Sequence, residues 1–133
     1  ICGTMGYIMA SSAATIDPSR VGGNLESAHV ILAGLAPVHK IGFALAMGKL
    51  MMVHLNDQNC IEYDQDKSSG VENLRTAFNQ VKVLRENGYG GHGGYIGLDV
   101  KAMGTTKNGD SYRHPENGLN IFRALEKKAG RFD

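Results

Sequence analysis

The sequence predicts an α/β fold in which parallel strands alternate with helices. Short apolar runs at 21–25, 50–55 and 95–100 are separated by stretches whose apolar residues recur at helical spacing. Each run also carries a metal-ligand type of residue at or beside its end, namely Glu26, His54 and Asp99. Strand–helix alternation implies a parallel sheet with right-handed crossovers. The carboxyl ends of such strands are where α/β barrel enzymes keep their chemistry.

The elements follow in order. Residues 1–16 place Met5, Ile8, Met9 and Ala13 at helical spacing, and Asp17-Pro18 stops the helix. The first strand, over 21–25, contains Gly22 and Gly23, which point to close approach of another backbone, and it delivers Glu26. Residues 27–35 read as a short helix. Pro37 opens a second helical piece through Ile41, Phe43, Ala44, Leu45 and Met47, closed by Gly48. The second strand, over 50–55, runs into the polar segment 54–66. Val71, Leu74, Phe78, Val81 and Leu84 form the clearest amphipathic stripe, with Glu72, Arg75, Gln80, Arg85 and Glu86 on the opposite face. Asn87-Gly88 ends that helix, a glycine-rich turn follows, and the third strand spans 95–100. Residues 105–114 are polar loop, and a last helix from Pro115 carries Leu119, Ile121, Phe122 and Leu125.

At 133 residues with 42% hydrophobic content the chain has the length and composition of one domain with a real core. A net charge of +1 with scattered basic residues argues against a nucleic-acid surface or an anionic-membrane surface. Cys2 and Cys60 show no metal-site spacing, so a disulfide scaffold or structural zinc is not expected, and a reducing, cytoplasmic setting is. No apolar run is long enough to span a bilayer, and no signal-peptide pattern opens the chain. The first residue, Ile1, reads as the start of a processed chain or of a piece of a longer one.

Glu26 and His29 form an E-x-x-H pair that a helical turn brings to one face. Alone, that spacing is common by chance, and a helix-start glutamate beside a half-buried histidine is the better reading of it. Three successive strand ends bearing Glu26, His54 and Asp99 make convergence on a metal the better reading, since neighbouring strands lie about 4.8 Å apart. His29, Asp64 and Asp66 complete a second cluster if Asp64-Gln65-Asp66 is locally extended, so that both carboxylates point one way. Mixed carboxylate and imidazole donors suit Mn²⁺, Mg²⁺, Co²⁺ or Zn²⁺. The stretch from Gly88 to Gly93 matches GxGxxG but follows a helix, the reverse of the dinucleotide context, and reads as a turn. His39, His92 and His114 are expected at the surface, Cys60 as an unreactive loop residue, and most of the six methionines in the core.

Asn24-Leu25-Glu26-Ser27-Ala28-His29 followed by Ala33-Gly34, His54-Leu55-Asn56-Asp57-Gln58 leading to Asp64-Gln65-Asp66, and Leu98-Asp99-Val100-Lys101 together resemble the C-terminal half of the xylose isomerase-like TIM barrels, over about residues 20–105. The resemblance implies that the chain forms part, about three strands, of a (β/α)8 barrel. It also implies an aldose–ketose sugar isomerase in which two divalent ions polarise the carbonyl and hydroxyl oxygens of an open-chain sugar. Glu26 would bridge the ions, with His54 and Asp99 on the structural one and His29, Asp64 and Asp66 on the catalytic one. His29, Asp66 and Lys101 are the candidates for a catalytic role, and Asn56 also matches a family position. Xylose isomerase proper has Asp where this chain has His54; a histidine there resembles the L-rhamnose isomerase branch, so the sugar is left open. Cys60 and Ser69 stand where family members usually show Gly and Phe.

The family's further Glu ligand, its nearby Lys and its ring-opening His have no counterpart upstream of Glu26. A complete barrel takes about 250 residues, so the implied partner is the missing half of the barrel, from the same or another chain, in a homo-oligomer. The alternatives are a metal-dependent phosphoesterase of the endonuclease IV type, which calls for a basic DNA-facing surface, and a non-catalytic half-barrel that needs a partner to complete its sheet.

Overall fold

The structure, a computed structural model, describes residues 4–59, 61–91, 93–107 and 109–132; Cys2, Cys60 and His92 lie outside the described residues. Three parallel strands, β1 (Gly23–Glu26), β2 (Leu50–Leu55) and β3 (Tyr95–Leu98), form a sheet in the order β1-β2-β3. They alternate with α1 (Met5–Ala13), α2 (Ser27–Leu32), α3 (Pro37–Ala46), α4 (Leu74–Glu86) and α5 (Arg113–Ala129). The predicted α/β class holds, and the alternation is that of part of a barrel. No helix among the described residues is long and apolar enough to cross a membrane.

In register, Asn24 lies opposite Met52 and Met52 opposite Tyr95; one pleat on, Glu26 lies opposite His54 and His54 opposite Gly97. Because side chains alternate across a strand, these two rows share one face of the sheet, and Leu25, Val53 and Leu55 occupy the other. Those three are buried with Ile41, Ala44 and Leu84 in the main core, and Ala77, Val81 and Leu125 form a second cluster where α4 meets α5. The opposite face stays open: Tyr95 is 71% exposed. The candidate ligands thus sit at the rim of an uncovered face.

Element boundaries follow local chemistry. Thr4 caps α1, and the helix stops at Ala13, short of Asp17, whose carboxylate instead accepts the Ser19 N–H to cap a 3-10 turn over Pro18–Arg20. The glycine pair does meet another backbone. A Cβ on Gly22 would lie 2.6 Å from the Lys49 carbonyl oxygen, and the Gly23 N–H donates to that same oxygen at 2.7 Å. That contact delays β1 to Gly23. Gly48, at φ +63°, ends the passage out of α3 as expected.

Several expectations are corrected. Helix α4 begins at Leu74 because Asn73 caps it, accepting the Thr76 N–H at 2.9 Å, and Val71 stays outside and exposed. Gln80, expected on the solvent face, is buried, because the Ser27 hydroxyl donates to its Oε1 at 2.6 Å. Strand β3 ends at Leu98 rather than Val100, where the chain turns so that the Lys101 N–H can donate to the Asp66 carbonyl. Helix α5 begins at Arg113, with Pro115 in its first turn, and Leu119 is 38% exposed rather than in the core. Of the methionines Met5 alone is fully buried, while Met47, Met51 and Met103 are exposed. His39 is exposed as expected, but His114 is half-buried: its Nε2 lies 3.2 Å from the Thr106 hydroxyl and its carbonyl accepts from Ser68.

Candidate metal centre

Register places Glu26 beside His54, and Asp99 follows one residue past β3. Donor atoms of Glu26, His54 and Asp99 all lie within 4.8 Å of one another, as do those of Glu26, His29 and Asp64. Each group holds two carboxylates and one imidazole, and Glu26 belongs to both. His29 Nε2 lies 3.3 Å from Glu26 Oε1 and 3.3 Å from Asp64 Oδ2, and His54 Nδ1 lies 3.1 Å from Asp99 Oδ2. Glu26 and His29 also line a cleft of about 640 Å³ beside the edge of β1.

Two buried atoms in these groups make no hydrogen bond, His54 Nδ1 and Asp64 Oδ1. The His54–Asp99 approach is close but lacks hydrogen-bond geometry. Buried polar atoms are nearly always satisfied, so one orphan in each donor group is what a site shaped for cations leaves behind. Carboxylate oxygen and imidazole nitrogen are also the right donor chemistry for divalent first-row ions. The residues present therefore fit such ions.

Asp66 stands beside the second group rather than within it. Its backbone is left-handed, φ +44°, which is uncommon for a residue other than glycine, so the expected Asp64-Gln65-Asp66 segment is not extended at its last residue. Both carboxylates nevertheless meet Lys101: its Nζ is ion-paired with Asp66 Oδ2 and lies 3.6 Å from Asp64 Oδ2. Burial works to raise the Asp66 carboxyl, but the hydrogen bond and charge of Lys101, with hydrogen bonds to Asp64 and Glu26, outweigh it and hold Asp66 below the usual carboxylate range. Lys101 is raised in turn, chiefly by its hydrogen bond to Asp66. Burial pushes Glu26 up, helped by the negative charges of Asp99 and Asp66 and opposed by the Asn56 hydrogen bond and His29. A carboxyl raised in this way gains from a nearby cation.

Xylose isomerases from Thermus thermophilus and Thermus caldophilus are 34% and 33% identical to this chain over 129 residues, covering 97% of it and 33% of each relative. These matches support placing the chain in the xylose isomerase-like superfamily. The Streptomyces lividans xylose isomerase is 41% identical over 88 residues, 66% of this chain and 22% of that protein. No family profile matches the chain. The chain spans about a third of the length of the Thermus relatives. In this xylose isomerase-like chain the residues that sequence reasoning leaves without a role are the buried polar ones behind the ligands, Asn56, Asp57 and the Ser27–Gln80 pair. Asn56 carries a readable signal, since it lies two residues past His54 and so shares its side of the chain. Asp57 carries none; three of its partners, all on Oδ2, are backbone N–H groups 13 to 16 residues away.

Proposed function

We propose that this chain carries most of the metal-holding part of a divalent-metal-dependent aldose–ketose isomerase. The observation that supports this reading is the sharing of Glu26 between two donor groups, each with one imidazole and two carboxylates. Glu26, His54 and Asp99 would hold one ion, and Glu26, His29 and Asp64 the other, with Asp66 beside it. Mn²⁺ and Co²⁺ suit both donor types, ahead of Mg²⁺, which favours oxygen alone. When bound, such ions supply Lewis-acid polarisation of the carbonyl and hydroxyl oxygens of an open-chain sugar.

The residues of this chain hold the rest of the arrangement. Lys101 pairs with Asp66 and Asp64 and keeps that side of the centre from collapsing through like-charge repulsion. His29 and Lys101, each with a side chain 59% exposed, stand where a sugar would reach the centre. Strands β1 and β3 sit at the two ends of the sheet, and the remainder of a barrel, in a homo-oligomeric assembly, would cover them and supply the remaining catalytic groups. Incubating a panel of aldoses with Mn²⁺ and the protein completed by the rest of its barrel should yield the corresponding ketose, read by NMR. No ketose from any aldose, with metal bound, would refute the reading.

A further inference from the structure

Asn56 is 1% exposed and lies one residue past β2. Its Oδ1 accepts the Ala28 N–H at 2.7 Å, and its Nδ2 donates to Glu26 Oε1 at 3.0 Å and to Asp66 Oδ1 at 2.9 Å. The orientation of this amide is fixed by its partners. A backbone N–H only donates, so the oxygen must face Ala28, and the two N–H groups are left for the two carboxylates. Turned over, the amide would set donor against donor and present its oxygen to a carboxylate. Ala28 is the second residue of α2, where the helix's own N–H groups lack intrahelical partners. One side chain therefore joins the end of β1, the start of the helix bearing His29, and the loop bearing Asp66. Hydrogen bonds to ionised carboxylates are the stronger kind; the one to Asp66 is buried and the one to Glu26 part-buried.

We propose that Asn56 is the positioning residue of this centre: its amide holds Glu26, the carboxylate common to both donor groups, in the orientation that lets two divalent ions share it. This inference rests on the two-ion reading above. Asn56 and His29 both engage Oε1 of Glu26, so rotation of that carboxylate breaks its part-buried hydrogen bond to Asn56 or its contact with His29. Removal of an outer partner of a ligand typically costs roughly 10–100-fold in metal affinity.

The test is Mn²⁺ binding to the chain, followed by calorimetry and by electron paramagnetic resonance, in which ions that share a carboxylate give an exchange-coupled signal and separate ions do not. Asn56→Ala removes all three bonds. Asn56→Asp keeps an acceptor for Ala28 and the side-chain shape but loses both donors, and it carries the test if the alanine variant does not fold. Ser27→Ala is the control, since it removes the buried hydrogen bond to Gln80 and a 3.3 Å contact with the backbone carbonyl of His54, next to Glu26, without touching a donor atom of either group. The expected result is a coupled signal in the wild type and in Ser27→Ala, with binding roughly 10–100-fold weaker and the coupling lost in the Asn56 variants. Coupling retained in both Asn56 variants, with affinity near or above wild type, would overturn the proposal while leaving the two-ion reading intact. Equal loss in Ser27→Ala would overturn it as well, by showing general loosening. A wild type that binds no Mn²⁺ would overturn the two-ion reading and the proposal together.

Discussion

Replacing Asp57 by Asn should cost more stability than its conservative chemistry suggests. Asp57 is 3% exposed, and its Oδ2 accepts the N–H groups of Gly70, Glu72 and Asn73 at 3.1, 3.0 and 3.1 Å, while Oδ1 accepts that of Gln58 at 2.9 Å. All four partners are donors, so an Asn side chain can satisfy one side only and must turn its NH₂ toward a backbone N–H on the other. Leaving one buried donor unmet costs about 1–3 kcal/mol, and the loss of charge assistance on the surviving bonds adds to it. A total of about 2–4 kcal/mol follows, which for a chain of this size lowers the melting temperature by roughly 10 °C. Urea unfolding monitored by circular dichroism, with the midpoint and slope compared between variant and wild type, reads this directly. Asp57 also exchanges two backbone hydrogen bonds with Lys67, next to Asp66, so the loop and the start of α4 should loosen together. An Asp57→Asn chain within about 0.5 kcal/mol of wild type, the range of an ordinary surface change, would refute this account of the cradle.

Two further outcomes follow from the same geometry. The double change His54→Ala with Asp99→Ala removes two of the three donors of one group, and bound divalent metal, measured by mass spectrometry after dialysis, should fall by at least roughly the 10–100-fold typical of losing an outer partner; unchanged metal content would exclude that group as a site. For the metal-free chain, Asp66 is held below its ordinary value of 3.8 because Lys101 and its hydrogen-bonding neighbours outweigh burial. The stability this contributes is fully present above that value and is lost as pH falls through the lower folded-state value. Lys101→Met should therefore flatten the acid side of the stability curve, read by urea unfolding at a series of pH values, and equal slopes in the two proteins would show that the ion pair does not set it.

The backbone plan was legible because it depends on local signals. Strand β2 occupies the expected residues, β1 and β3 shift only at their ends, and the register follows from apolar residues that must face the helices. The candidate ligands Glu26, His54 and Asp99 were legible for the same reason: they stand at or just past strand ends, and a parallel sheet brings strand ends together. What could not be read are contacts set by tertiary packing. A helical wheel puts Gln80 among charged neighbours, but the wheel does not know that Ser27, at the head of another helix, needs an acceptor there. Likewise Asn73 offers its cap two residues after the apolar stripe begins, and the stripe alone extends the helix to Val71. Asp57 is one polar residue in a polar loop until the loop closes around it.

The left-handed backbone at Asp66 shows how a local expectation can fail while its consequence survives. An extended segment would aim Asp64 and Asp66 the same way by simple alternation; the backbone at Asp66 is left-handed instead. The two carboxylates still converge, because Lys101 reaches both and Asn56 draws Asp66 inward. Room for the centre is made on the neighbouring strand in a similar way. Gly97 lies opposite His54, where a Cβ would come within 3.3 Å of the imidazole Cδ2, tight enough to press on the ring. The third strand thus gives up a side chain beside His54 and returns a carboxylate two residues later at Asp99. Convergence of the ligands therefore rests less on any one spacing in the sequence than on sheet register together with the buried polar residues that fill the gaps behind it.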